Sequence, residues 1–284
     1  MSLTVATAML KLRKHYILLR IQASLRSSNS QYELKMMTKK NIIIAGYPKS
    51  GTTWISRLVA ELATCPLQGD WGFSHIKALY EEGEKRDSPY DCYKTHFTYN
   101  EISSKDEKKV FKIIHVLRDP RDVAISGSHY FNFTNTPQKI LKKIGIHTPL
   151  FAVSSTEKKK RMIKAILEGD EKVNQWVSLS WKNHLETFIN KEVLTIRYED
   201  MLMHPQEQCS KITQFLDLDI DAKHIDYCIQ KQSFDKKKKE TSDSKDAHFK
   251  KLLRKGEQGY WKNEFTDQEK DTFKTYLATN TFYN

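Results

Sequence analysis

The stretch that decides the fold is NIIIAGYPKSGTTW, from Asn41 to Trp54. Its first half, Ile42 to Ala45, is a short apolar run rich in β-branched residues, the pattern of a buried parallel strand. A Gly/Pro turn follows. From Thr52 to Ala63 the apolar residues Ile55, Leu58, Val59 and Leu62 fall at helical spacing. Strand, glycine-rich loop and helix in that order build a phosphate site, because the backbone N–H groups of the turn and of the helix N-terminus converge on an anion. The loop departs from the nucleoside-triphosphate form G-x-x-x-x-G-K-[ST]. Gly46 and Gly51 keep that spacing, but Thr52 fills the lysine slot. The lysine, Lys49, comes two residues before the second glycine. An ammonium on the turn itself can reach over a bound phosphate.

The same alternation continues outward. Strands are expected at Tyr90–Thr95, Val110–Leu117 and Val193–Arg197, with a helix from about Arg121 to Tyr130. Asn132–Arg161 and Phe234–Lys251 read as loops. The first holds Pro137 and Pro149, and both carry lysine runs. The fold class this predicts is α/β: a single domain with a central parallel sheet flanked by helices, and a P-loop-like phosphate-binding loop after the first strand. In such sheets ligands bind at the carboxyl ends of the strands. The chain divides into a basic N-terminal extension, 1–40, and a main domain, 41–284.

Composition narrows the class. The chain has 284 residues, 39% of them hydrophobic, so it can bury a core and is not a disordered polyelectrolyte. Its net charge of +12 suits an anionic ligand, a membrane surface or nucleic acid, without choosing among them. The four cysteines, Cys65, Cys92, Cys209 and Cys228, form no C-x-x-C pair, which argues against zinc. They suit a reducing compartment, and no apolar run reaches the ~18 residues of a membrane span. A cytoplasmic location is therefore expected. The segment MLKLRKHYILLRIQASLR precedes any acidic residue. It fits a basic helix in peripheral contact with a membrane, a transit peptide, or a core-capping helix with a solvated basic face.

A second motif adds chemistry. Lys94 and His96, in KTH at the end of a strand, stand two apart and point to one side. A histidine beside a phosphate site can serve as a general base near neutral pH. A kinase reading instead needs an acidic metal ligand after a strand, and Asp119 fills that position. A third reading, a non-enzymatic basic binding protein, draws on the lysine runs but finds no nucleic-acid motif.

Together these stretches resemble the cytosolic-type sulfotransferase superfamily, whose donor is 3′-phosphoadenosine 5′-phosphosulfate (PAPS). YPKSGTTW resembles its 5′-phosphosulfate loop, and RDPRDVAIS, Arg118 to Ser126, its 3′-phosphate motif. RKGEQGYWK, Arg254 to Lys262, resembles its R-K-G-x-x-G-x-W-K segment, and KTH and YED (Tyr198–Asp200) also match. The resemblance implies His96 as the base and Lys49 and Lys94 as cations on the leaving oxygen and the sulfuryl group. It implies that Ser50, Gly51, Thr52 and Thr53 hold the 5′-phosphate. Trp54 and Phe234 would stack on the adenine and Tyr198 would contact its region, with Ser233 among the cofactor-binding residues. Arg118, Ser126, Arg254, Lys255 and Gly256 would hold the 3′-phosphate. No metal is required, because a sulfuryl group carries less charge than a phosphoryl group. The expected acceptor is a small molecule with a hydroxyl or amine, taken between Trp71–Tyr80 and Asn132–Phe151, with Phe73, His75, Tyr130 and Phe133 as candidate lining. A carbohydrate or lipid acceptor is the alternative within the family. The family's dimer pattern is only partly present in KNEFTDQEKD, so a monomer or non-standard dimer is expected, without a nucleic-acid partner.

Overall fold

The computed structural model describes residues 39–72, 83, 85–106, 110–131, 133, 152–170, 178–242 and 256–279. Residues 1–38 of the N-terminal extension, Phe73, His75, Arg254 and Lys255 lie outside them.

Strand β1 (Lys40–Ala45) leads through the glycine loop into α1 (Thr52–Leu62). β2 (Leu67–Asp70), β3 (Tyr90–Thr95), α2 (Tyr99–Asp106), β4 (Val110–Leu117) and α3 (Pro120–Tyr130) follow. Next come α4 (Ser155–Glu168), α5 (Trp181–Glu186), β5 (Val193–Arg197), α6 (Tyr198–Met203), α7 (Pro205–Phe215) and α8 (Ala222–Lys231). The described chain closes with α9 (Phe234–Ser242), α10 (Trp261–Glu264) and α11 (Asp267–Ala278). The five strands lie in the order β2-β3-β1-β4-β5, with β2–β3, β1–β4 and β4–β5 paired parallel. This is the α/β fold expected.

β1 is central because both its faces are apolar. Ile42 and Ile44 pack with Ile55, Leu58 and Val59 of α1 and with Ile212 and Ile225 of α7 and α8. Ile43 and Ala45 point the other way, to Trp71, Ile102, Ile113 and Phe188. That is the period-two alternation of a strand covered on both sides. A third cluster unites Val123 and Ile125 of α3 with Met162 and Ile166 of α4, Trp181 of α5 and Phe273 of α11. All four cysteines are buried free thiols.

Two loop expectations need correction. Ser155–Arg161 is the first half of α4, not loop. Ser154 caps it by accepting the Glu157 N–H, and the lysine run lies on a helix that buries Met162, Ile163, Ala165 and Ile166, with Lys160 exposed and Lys159 paired with Glu269. The S-x-x-E spacing was the available signal. Phe234–Ser242 is helical too. Lysine and glutamate favour helix wherever nothing must be buried. β2 went unforeseen, being four residues long with no β-branched residue.

Candidate active site

The strand order reverses around β1, which has β3 on one side and β4 on the other. The carboxyl ends of these three strands open onto one cleft, as expected for a doubly covered parallel sheet. The space enclosed is about 1230 Å3, part of it open to solvent. From the phosphate loop and α1 it is lined by Lys49, Gly51, Thr52, Thr53 and Trp54. β3 contributes Lys94, and His96 follows its end. Arg118 follows β4, Ser126 lies within α3, Tyr198 opens α6, and Phe234 and Gly256 come from the C-terminal part. Twelve of the residues expected from sequence thus meet in one place. Ser50 and Ser233 do not line it. Ser50 is fully buried and its N–H closes a turn onto the Tyr47 carbonyl. The Ser233 carbonyl accepts the Lys237 N–H at the start of α9.

The loop is shaped by two close approaches. A Cβ on Gly46 would stand 2.7 Å from the Val116 carbonyl oxygen. Gly51 has φ 95°, and a Cβ there would meet the Tyr198 ring at 2.4 Å, so only glycine fits either position without rearrangement. Lys49 also has positive φ, 72°. Its ammonium lies 3.7 Å from the centre of the Tyr130 ring, a cation–π contact across the cleft wall. The Lys49 carbonyl accepts from Arg118 at 3.1 Å, and a second Arg118 nitrogen donates to the Glu257 carbonyl at 3.2 Å. The guanidinium stacks 4.1 Å from the Tyr198 ring centre. Its Nε is buried with no hydrogen-bond partner among the described residues. A donor left over in a cationic cleft fits an anionic ligand.

His96 is half-buried. Its Nδ1 lies 2.8 Å from the Gly46 carbonyl oxygen. Nδ1 therefore carries the proton it donates, which leaves Nε2 as a bare acceptor. Burial holds the imidazole well below the usual histidine range; Lys94, His184 and Lys49 push the same way, and the Gly46 carbonyl opposes them. Behind it, His184 Nε2 donates to the His96 carbonyl at 3.1 Å. His115 stacks on Phe188 with ring centres 4.3 Å apart. Burial lowers the pKa of His115 to about 3 and that of His184 to about 4. The unfolded chain takes up these protons near pH 6.5, so it binds more protons than the folded chain below that pH. Stability must fall on acidification from about pH 6.5 to about pH 4. At about 1.4 kcal/mol per pKa unit, the two sites amount to several kcal/mol. Urea unfolding across that range should show the loss, and His184→Gln should flatten the slope. A pH-independent unfolding free energy would refute it.

Several lining residues escaped the sequence reading. Asp122 accepts the Gly259 N–H at 2.6 Å and the Trp261 N–H at 3.1 Å, fastening the 256–261 segment beside the cleft. Arg121 stacks 3.8 Å from the Trp261 ring centre. Trp54 Nε1 donates to the Gln232 carbonyl at 2.8 Å. Gln232 is held in turn by Glu61, whose carboxylate also binds Arg86 and Lys231. Burial opposes ionisation of Glu61, but Lys231 and Arg86 keep its carboxyl below the usual range. Arg57, almost wholly buried, also lines the cleft. It lies one helical turn beyond Thr53 and Trp54, a spacing that puts it on their face.

Asp119, the metal ligand that a kinase would need, is not part of the lining. It caps α3 through the Arg121 N–H and forms a forked pair with the Arg121 guanidinium. Of the acceptor candidates, Tyr130 lines the cleft, while Phe133 packs into the α3–α4 core.

Fold and cleft together define an α/β protein with a modified phosphate-type loop opening onto a cationic cleft. Comparison with known proteins narrows the class. The model of the sulfotransferase domain matches residues 61–281. The chain belongs to the sulfotransferase domain family, of the cytosolic type. It is 27% identical to mouse sulfotransferase 2A6 over 256 residues, 82% of this chain and 81% of the relative. It is 25% identical to rat sulfotransferase 1A1 over 260 residues, 84% and 83% of the two chains. Among solved structures, a mouse sulfotransferase complexed with PAP superposes with a TM-score of 0.59 at 24% identity, covering 83% of this chain and 81% of that one. Retinol dehydratase, solved with androsterone and inactive cofactor PAP, gives 0.58 at 16% identity over 85% and 80%.

Proposed function

We propose that the protein moves a sulfuryl group from PAPS to a hydroxyl or amine of a small molecule. The convergence of Lys49, Lys94, His96 and Arg118 on one cleft supports this reading most directly. The cleft residues fit the donor. The glycine loop with Thr52 and Thr53 offers a nest of N–H and hydroxyl donors for the 5′-phosphate. Arg118 and Ser126, completed by Arg254, Lys255 and Gly256, answer the 3′-phosphate. Trp54, Tyr198 and Phe234 offer aromatic faces to adenine.

PAPS supplies a sulfuryl group whose sulfur bonds to the acceptor oxygen as its bond to the bridging phosphate oxygen breaks. His96 Nε2 takes the acceptor's proton. Lys49 neutralises the electron pair left on the phosphate oxygen, and Lys94 steadies the sulfuryl oxygens. Cations fixed in advance around dispersed charge supply most of such a rate. No step requires a metal. The residues before Asn41 carry none of the donor motifs, and their basic, acid-poor sequence suits contact with an anionic membrane. The working unit is a monomer or a dimer of non-standard contacts.

Calorimetry tests the nucleotide. Adenosine 3′,5′-bisphosphate should bind far more tightly than 5′-AMP, without added metal. Equal affinities would remove the 3′-phosphate site. Tighter binding of ATP with Mg2+ would restore the kinase reading.

A further inference from the structure

β2 runs parallel beside β3, and its last residue, Asp70, is in register with Lys94. The Trp71 N–H donates to the Lys94 carbonyl at 2.7 Å, fixing the two backbones at this point. Asp70 Oδ1 lies 3.5 Å from Lys94 Nζ. The lysine side chain is 9% exposed and the carboxylate 37%, so the pair runs outward from the cleft wall. Neither the phosphate loop nor any other motif of the sequence includes Asp70.

We propose that Asp70 is a positioning residue that keeps the Lys94 ammonium charged and aimed into the cleft until the donor's sulfuryl oxygens take it over. The inference rests on Lys94 as the sulfuryl contact proposed above. Arg57 from α1 and His96 just after β3 face Lys94, the Tyr130 phenol from α3 faces Asp70, and Lys49 of the loop acts on His96. Of these neighbours and Asp70 itself, only Asp70 carries negative charge. Burial lowers the pKa of Lys94, Arg57 adds to that, and Asp70 opposes both. A lysine that lost its proton here would offer no charge to the transition state. A fully buried carboxylate would hold the lysine too firmly, because separating a desolvated pair is costly. The part-exposed Asp70 is screened by water and can yield the ammonium to a more highly charged donor.

Asp70→Asn keeps the side-chain shape and removes the charge. Two measurements on the full chain separate its meanings. In the nucleotide-free protein, site-resolved acetylation of Lys94 against pH reports the titration of its amine. In turnover, the alkaline limb of kcat reports the same proton in the complex. The asparagine variant should move both to lower pH. A midpoint lowered by about one pH unit leaves roughly tenfold less ammonium at a given pH on the limb. Adenosine 3′,5′-bisphosphate affinity should stay within about threefold, and Asp70→Glu should restore the limb. An unchanged acetylation midpoint in Asp70→Asn overturns the inference, even where β2 is destabilised and activity falls. A lowered midpoint together with full activity in Lys94→Ala overturns the role of Lys94 in transfer, and with it that of Asp70, while leaving the ion pair itself intact.

Discussion

Variants with His96 replaced by alanine or asparagine should bind adenosine 3′,5′-bisphosphate like the unaltered chain and transfer sulfate to a hydroxyl acceptor about 10²–10⁴-fold more slowly. An alcohol gives up its proton only as the S–O bond forms, so the base must be in place with a free lone pair. The Nδ1–H bond to the Gly46 carbonyl leaves that lone pair on Nε2. In the proposed function the phosphates are held by other elements, so binding and transfer should separate cleanly in these variants. The pH dependence has a definite sign. The base works only when neutral, and burial together with nearby Lys94 lowers its pKa. The acid limb measured on the donor-free enzyme should therefore lie well below about pH 6.5. Bound PAPS brings negative charge that favours the imidazolium, so the limb of kcat should sit at higher pH than that of kcat/KM for the donor. Full activity of the alanine variant on a hydroxyl acceptor rules out His96 as base. An amine acceptor that arrives deprotonated needs no base, which makes the hydroxyl acceptor the decisive one.

The parts of the site legible in sequence were those where chemistry is local. A strand that must be apolar on both sides, a turn that must lack Cβ atoms and a helix that must open toward an anion are all written in consecutive residues, Ile42 to Trp54. KTH and RDPRDVAIS are compact in the same way. The residues that escaped act across the fold. Asp122 lies inside a recognised motif, but its grip on Gly259 and Trp261 joins positions over 130 residues apart. Gln232 meets Trp54 from 178 residues away. Asp70 ends a strand too short to show a period. The lysine runs misled because a polar helix face and a loop share a composition, and the buried Met162–Ile166 stripe separates the two in the first of them.

Lys49→Ala should slow transfer by about 10²-fold or more, the loss seen when one preorganised donor is removed from a developing oxyanion. The lysine's backbone makes the test more exacting than a simple truncation. Lys49 sits at φ 72°, a conformation that costs any residue bearing a Cβ about 1–2 kcal/mol. Alanine keeps that strain, so a folding defect cannot be blamed on the backbone alone. Lys49→Gly relieves the strain and also lacks the ammonium. Equal slowing in the two variants assigns the loss to charge. A glycine variant that recovers activity assigns it to loop geometry. Lys49→Arg should recover only part of the rate, because a planar fork neither matches a point charge on one oxygen nor stacks on the Tyr130 ring in the same way. The loop's carbonyl still accepts from Arg118 in every variant, so adenosine 3′,5′-bisphosphate should bind within a few-fold of normal. Removing the Tyr130 ring supplies the converse test. Tyr130→Leu frees the ammonium from its cation–π contact, and the Lys49 effect should persist in that background. Unaltered turnover in Lys49→Ala would make the lysine a surface charge, and its place two residues before Gly51 would have no chemical meaning.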